Sequence, residues 1–508
     1  MFAERNERHG VQVNGTQRLF LVAVLTALGL IALAVLVSAS TVAPQVVELH
    51  RTQLSTREKF AAYPDVDVGS GGLVAAAWTE GSDPLVEKHN GPLMLGWIVP
   101  GGKRWQTALV DGGKVYDAAV AVIGSTVHLV WSRDKTAILY TTCAPTSSPN
   151  CATPAVVATA AVEALQVDIV LDGGGAPHLV WVEQDDLVYY SRKQGGSWLP
   201  KQSLQAYAAG GSEGPSIAYA RGYVHLVWTE WQDADHTYSV IKYCRRGTGD
   251  DDWSSCQDPL AQWFTDDLLA RNPAVVADDA GNVYVVWDMV SNDDGGSNRQ
   301  YAIGYVHSDQ DGATDSWKGI HSYPDGDEFG RAESGSKIFR SGDESELVEY
   351  IQYLKPQIQL VVSDTTSVPL LTWHTQAQVG GSGEGLLQAS ARIPHKVYWT
   401  YATRPGSYAI PLVGTGFMHW ATEPITLSKD LCGGVDMAVN SATARVAPVG
   451  DLRDILAGDD PQAQLHAVYH EEIGEQFWGA FYNNNHPFAC FDVHMPIISR
   501  NANPGGGE

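Results

Sequence analysis

Positive charge is scarce in this chain: 33 Lys and Arg stand against 58 Asp and Glu, for a formal net charge of −25. Nucleic-acid binding needs a basic surface that displaces counterions, so no nucleic-acid partner is expected. An acidic surface of this kind favours solubility and cationic partners. Methionine and cysteine are few, six of each. No Cys-x-x-Cys pair occurs, so zinc-ribbon and thioredoxin-like chemistry have no motif. Charged residues at 18% and hydrophobic residues at 44% are a globular balance, which excludes wholesale disorder. Long apolar runs are missing, with one exception.

That exception is Leu19 to Val37, LFLVAVLTALGLIALAVLV, interrupted only by Thr26 and Gly29. Nineteen helical residues span about 28 Å, close to the hydrocarbon thickness of a bilayer. Arg5, Arg8 and Arg18 precede it, although Arg51, Arg57 and Lys59 lie on the other flank. The positive-inside rule then puts the N-terminus in the cytoplasm. The competing reading is a signal peptide cleaved near Val37-Ser38-Ala39. The length of the run and its 18-residue lead favour an uncleaved anchor. The expected organisation is a cytoplasmic N-terminus over 1–18, a membrane helix over 19–39, a stalk over 40–60, a folded region over 61–498 and a flexible tail over 499–508. The folded region is expected to be extracytoplasmic, in a single-pass membrane protein.

The six cysteines support that side of the membrane. Cys143 and Cys151 follow the strand-like ILYTTC, and Cys244 and Cys256 follow IKYC. Each pair brackets a turn-rich segment, so each fits a staple across a hairpin, at corresponding places in two repeats. Cys432 and Cys490 remain to join distant parts of the last repeat. Disulfides imply an oxidising compartment.

The strongest pattern is internal. A short strand leading to an aromatic recurs at Trp78, Trp131, Trp181, Trp228, Trp287, Trp373 and Tyr469. The first four intervals are 53, 50, 47 and 59 residues, and the last two are 86 and 96. Most copies come after another short strand and a turn, and an aromatic strand and a second turn often come next. One unit therefore reads as a four-stranded antiparallel sheet. Such sheets repeated around an axis make a β-propeller, which protects strand edges. Seven anchors predict seven blades, with six as the alternative if the first or last copy only closes the ring. The anchor rings are expected to pack blade against blade. His128, His178, His225 and His466 all stand three residues before an anchor. Neighbouring sheets lie about 10 Å apart, too far to share one ion, so packing and local hydrogen bonds are expected there, with no metal.

These repeats resemble the bacterial sialidase-like propeller superfamily, whose members carry Asp-box turns of the type Ser-x-Asp-x-Gly-x-Thr-Trp. The resemblance covers about residues 60–495. Here the turns are degenerate: Ser308-Asp309-Gln310-Asp311-Gly312 leads to Trp317, and Ser191 to Trp198 lacks the acid. In that superfamily the turns lie opposite the active site. The resemblance implies three arginines, a Tyr–Glu nucleophile pair and an Asp acid/base for sialidase activity. Arg392-Ile393-Pro394 echoes an arginine motif but falls in an insertion of the sixth repeat, and no arginine triad can be assigned. Catalytic residues are therefore unknown.

The residues just after the anchors share one propeller face, and that face is acidic. Glu80, Glu183, Glu230, Asp288 and Glu471, with Arg133 and His374, are the candidate ligand-binding residues. Paired carboxylates there suit a cationic ligand or acid–base chemistry on a glycosidic bond. No cofactor is expected. Ca²⁺ at acidic turns such as Asn292 to Gly296 or Asp325 to Glu328 is the alternative, against plain solvated turns. Insertions near 318–355, ending in a short helix SGDESELVEYIQYL, and near 375–392 are expected binding arms or decoration. These readings leave three functions: a binding or scaffolding module for protein or glycan, a sialidase-like glycoside hydrolase, and a structural subunit of a membrane complex.

Overall fold

The computed structural model describes residues 50–55, 60–81, 90–102, 104–145, 149–183, 187–204, 211–232, 234, 239–250, 253, 256, 268–293, 298–313, 316–318, 337–340, 350–363, 366–378, 396–401, 411–412, 416–417, 425–426, 444–449, 464–473 and 477–484. In several of these strands only the backbone is described, among them 50–53, 289–303, 350–355 and most strands beyond residue 372. The chain forms two compact units, Met1–Val46 and Val47–Glu508. The first unit, with the expected anchor, lies outside the described residues. So do Cys432, Cys490, Arg392, the turn at 325–328 and the tail. Among the described residues no helix is long and apolar enough to cross a membrane.

The second unit is all-β, and its strand pairs are antiparallel. Its strands run in a repeated up-and-down order, as in Ala164–Leu171, Pro177–Glu183 and Leu187–Gln194 of one sheet. The next sheet is Ser212–Ala220, Tyr223–Trp231 and Ser239–Gly247. The first strand of each sheet contacts the first strand of the next. The succession runs Phe60–Val68, Gln106–Ile123, Ala164–Leu171, Ser212–Ala220, Leu268–Ala277, Tyr350–Ser363 and Ala444–Val449, and Ala444–Val449 contacts Phe60–Val68 in turn. The ring of inner strands is thus closed, which is the arrangement of a β-propeller. Gln106–Ile123 is long enough to pair at one end with Gly91–Ile98 and at the other with Thr126–Arg133, so it links two successive sheets.

Closure uses a strand from the stretch expected to be a stalk. His50–Gln53 pairs with Phe477–Asn484, the third strand of the last sheet. The N-terminal part of the ring therefore completes its C-terminal sheet, and the edge that would otherwise be left open is paired. A second departure lies near residue 350. Tyr350–Ser363 is a strand, so the end of the segment expected to be a short helix is extended, drawn into pairing with Thr366–Gln378.

The core sits between sheets. One cluster joins Ala119, Val130, Ile138 and Tyr140 to Ile169, Leu179, Trp181 and Tyr189 of the following sheet. Another joins Val180, Val188 and Tyr190 to Ile217, Leu226 and Trp228. Trp78, Trp131, Trp181 and Trp287 are fully buried and Trp228 is 2% exposed. Each such ring removes on the order of 200 Å² from water. Trp287 packs closely against Gly304, where a Cβ would come within 2.1 Å of its Cε2; glycine in a strand interior marks this kind of close approach.

The histidines repeat a single contact. His128 Nδ1 is 2.7 Å from Tyr140 Oη, His178 Nδ1 is 2.5 Å from Tyr190 Oη, and His225 Nδ1 is 2.7 Å from Tyr243 Oη. Each tyrosine then meets, edge to face, a tryptophan from further along the chain. Tyr140 packs on Trp198, Tyr190 on Trp253 and Tyr243 on Trp317, with centroids 5.0, 4.9 and 4.7 Å apart. Trp198 and Trp317 come at the end of the degenerate Asp-box turns. Ser308 Oγ accepts from the Gln310 and Gly312 amides there. The side chain of His466 is outside the described residues. Disulfides join Cys143 to Cys151 and Cys244 to Cys256.

Candidate functional site

The inner strands carry a feature that the sequence pattern did not reveal. In five sheets the register slips by one residue opposite the anchor aromatic, so two residues of the inner strand face one of its partner. These pairs are Tyr63-Pro64, Gln166-Val167, Gly214-Pro215, Asn272-Pro273 and Lys355-Pro356. The first residue of four of them is left-handed, with φ of 50°, 57°, 60° and 48° at Tyr63, Gln166, Gly214 and Asn272. For Tyr63 and Gln166 this conformation costs roughly 1 kcal/mol or more, because Cβ crowds the carbonyl. The recurring Pro64, Pro215, Pro273 and Pro356 were the available signal. Proline is confined to edges and bulges of a sheet, and an inner strand has one edge facing the axis.

The bulges surround a cavity of about 200 Å³ whose walls include Tyr63, Asp65, Asp117, Gln166, Asp168 and Asn272. A second cavity of about 300 Å³ lies further along the same strands, with Asp65, Asp67 and Asp168 in its wall. Among the described residues both are lined by inner strands, so they are successive sections of the axial channel. The bulged ends form its mouth.

The channel carboxylates bind neighbouring strands together. Asp65 Oδ2 accepts from Val120 N at 2.8 Å and Asp67 Oδ2 from Val122 N at 2.6 Å. Asp117 accepts from Ala118 N and, through its other oxygen, from Val167 N at 2.9 Å. Asp168 accepts from Ile169 N and from Ile217 N at 3.0 Å. At the equivalent place Ser216 Oγ accepts from Val275 N. Inner-strand amides on the axial side have no further strand to pair with, and these side chains supply the missing acceptors. Burial pushes the Asp67 carboxyl up to about 7, with nearby Asp65 adding to the shift against the backbone amides that lower it. Burial, and then the Asp117 carboxylate, push the Tyr63 hydroxyl up to about 12.

The acidic residues after the anchors are placed differently from the expected open loops. The second strands run past the anchor, to Gly81, Glu183, Trp231 and Asp293. Glu80, Glu183 and Glu230, each two beyond a tryptophan, then share its face, whereas Asp288, next to Trp287, lies on the other face of its strand. Glu80 is 8% exposed, Glu183 2%, and Glu230 and Asp288 are fully buried. Trp78 Nε1 donates to Glu80 and Trp181 Nε1 to Glu183, each at 3.0 Å. Glu183 also pairs with Lys201, Glu230 with Lys242 at 3.7 Å, and Asp288 accepts from Asn272 Nδ2 at 2.8 Å. Arg133 is half-exposed and lies 3.6 Å from Asp111, which in turn accepts from Trp131 Nε1. His374 and Glu471 fall in strands Thr366–Gln378 and Gln464–Ile473, and their side chains are outside the described residues. Asn292 and Asp293, expected to begin a Ca²⁺ turn, end a strand, again with undescribed side chains. No group of three or more His, Cys, Asp or Glu among the described residues is arranged to hold a metal.

No protein-family model matches the chain, and no curated protein matches it. Solved structures are similar to it in fold. One is a Trypanosoma rangeli sialidase in complex with sialic acid, at 12% identity and a TM-score of 0.40, covering 87% of this chain. The chain spans 59% of that sialidase's length. A protein of unknown function from Dyadobacter fermentans is similar at 10% identity and a TM-score of 0.41, over 86% of this chain and 97% of that one. A thermostable family-43 glycoside hydrolase is similar at 12% identity and a TM-score of 0.29, over 49% of this chain and 90% of that one. The likeness is one of fold, and no site residue is carried across from it.

Proposed function

We propose that this protein is a membrane-anchored, extracytoplasmic propeller of seven blades that works as a binding module, with its ligand site at the mouth of the axial channel. The closed succession of inner strands supports seven blades. The apolar run Leu19 to Val37 supports the anchor, and the two disulfides support the oxidising side of the membrane. The observation that carries the binding reading is the state of the mouth carboxylates. Each oxygen of Asp117 and of Asp168 accepts from a backbone amide. General acid–base work needs a carboxyl free to exchange a proton with the substrate. Carboxylates that hold the ring together suit a rigid receptor.

A second reading, glycoside hydrolysis, is favoured by one fact: Asp65, Asp117, Asp168 and Tyr63 share a single cavity. Against it, burial and the Asp117 carboxylate push the Tyr63 hydroxyl up to about 12, the wrong direction for an activated nucleophile. The two readings part in one experiment. The full-length protein in detergent is incubated with a panel of chromogenic glycosides and, separately, screened for ligand binding. The binding reading predicts ligand retention with no turnover above the buffer rate. Turnover that is lost in Asp117→Asn would replace it with the hydrolase.

A further inference from the structure

The four left-handed bulge residues are equivalent in the repeat but not in chemistry. Gly214 and Asn272 belong to the residue types that accept positive φ readily; Tyr63 and Gln166 do not. Gln166 has a structural return, since its Oε1 accepts from Gly214 N of the next blade at 2.7 Å. Tyr63 has none of this kind. Its hydroxyl makes no hydrogen bond among the described residues, and its side chain is 37% exposed in the wall of the mouth. The neighbouring repeats demonstrate that a smaller residue holds the same turn. A strained, exposed aromatic at the rim of a cavity points to a ligand.

The remaining groups narrow the ligand class. Gln166 has its oxygen committed, so its amide nitrogen is the group left to donate. Asn272 donates its nitrogen to Asp288, so its oxygen is left to accept. One fixed donor and one fixed acceptor beside an aromatic face match hydroxyl groups on a ring. Three aspartates, Asp65, Asp117 and Asp168, are among the residues that line the mouth, so a carboxylate, sulfate or phosphate on the ligand would meet like charge. About 200 Å³ exceeds the roughly 150 Å³ of a cavity that holds a benzene ring, so one sugar ring fits.

We infer that the mouth binds an uncharged saccharide, with Tyr63 as the stacking platform and Gln166 and Asn272 as the groups that read its hydroxyls. The inference rests on the mouth being a binding site. It is tested with the full-length protein in detergent on an array of neutral, sialylated and sulfated glycans and a polylysine spot, followed by titration calorimetry with the best neutral glycan. Neutral glycans should be retained and the anionic ones not. Tyr63→Ala should weaken binding by about tenfold or more, and Tyr63→Phe should stay within about threefold, because the ring is kept. Tyr63→Gly should lose binding while unfolding at the same or a higher temperature, which separates the ligand role from a folding role. A preference for sialylated or sulfated glycans, wild-type affinity in Tyr63→Gly, or no glycan retained at all would each overturn the saccharide assignment. Retention of polylysine alone would overturn it and leave the binding module standing. Cleavage of a bound glycan would overturn the binding module itself.

Discussion

His225 Nδ1 lies 2.7 Å from the Tyr243 hydroxyl, and neither side chain is exposed. The same pair occurs at His178 with Tyr190 and at His128 with Tyr140. In the fifth sheet Tyr284 takes the histidine position and stacks on Tyr305. The repeat thus keeps an aromatic pair at this position and varies its chemistry.

Acid sensitivity arises from these pairs. Burial holds the histidines low, at about 4 for His128 and His178 and about 3 for His225. In the unfolded chain they titrate near 6.5. Below that pH the unfolded state takes up protons that the folded state refuses, so stability is full above about 6.5 and falls as pH drops toward 4. Each histidine contributes roughly 3 kcal/mol across that window. Thermal unfolding measured from pH 8 to pH 4 should show a steady loss of Tm. His225→Gln, which cannot titrate, should reduce the slope by about a third.

Asp67 works in the opposite direction. Its carboxyl is raised to about 7, so between 7 and the unfolded value near 4 the folded state binds the extra proton. This contribution to stability is present at low pH and is lost as pH rises through 7. Asp67→Asn keeps an acceptor for Val122 N and removes the charge. At pH 8 it should stabilise the protein by about 1–2 kcal/mol, measured by urea unfolding, because the channel keeps some solvent at the carboxylate. The gain should shrink to about a third of this at pH 5 and vanish at about pH 4.

The propeller was legible because it is periodic. Seven aromatic anchors at intervals of 47 to 96 residues specify repeated sheets, and the two close cysteine pairs are bonded as expected, although their places differ: Cys143 pairs with Val127, before His128, and Cys244 with Leu226, after His225. The site was less legible, for two reasons. A second strand that stopped at its tryptophan would leave Glu80, Glu183 and Glu230 on loops. The strand instead continues, and period-2 alternation turns those carboxylates inward beside the indoles. The mouth, by contrast, depends on φ at Tyr63 and Gln166. A left-handed turn is written in a sequence when glycine or asparagine occupies it, as at Gly214 and Asn272, and is silent when another residue is forced into it.

Those inward carboxylates carry their own prediction. Glu230 is fully buried and lies 3.7 Å from Lys242, itself 5% exposed. Glu230→Ala leaves the ammonium buried without that carboxylate, which costs about 3–5 kcal/mol. Denaturant unfolding should show that loss. The double variant Glu230→Ala with Lys242→Met should recover much of it, since a buried pair replaced by apolar groups is often neutral. Equal losses in the single and double variants would mean that the pair is not the source of the effect.

The approach of Trp287 to Gly304 sets a steric limit at the centre of the fifth sheet. A Cβ at position 304 would stand 2.1 Å from Cε2, 2.4 Å from Nε1 and 2.5 Å from Cζ2 of that ring. No rotamer change at 304 relieves this, because Cβ is fixed by the backbone. The indole must move, and it is fully buried among Val275, Val285 and Val306 in the core shared with the fourth sheet. Overpacking of this kind costs about 1–3 kcal/mol and sometimes more. Gly304→Ala should therefore lower the denaturation midpoint and shift the tryptophan fluorescence, while Gly101→Ala, with open space around the added methyl, tests the φ of 72° alone. If Gly304→Ala is no worse than Gly101→Ala, the ring has room to move and the anchor is not closely packed. If Trp287→Leu combined with Gly304→Ala is more stable than Gly304→Ala alone, the clash with the indole is the cause.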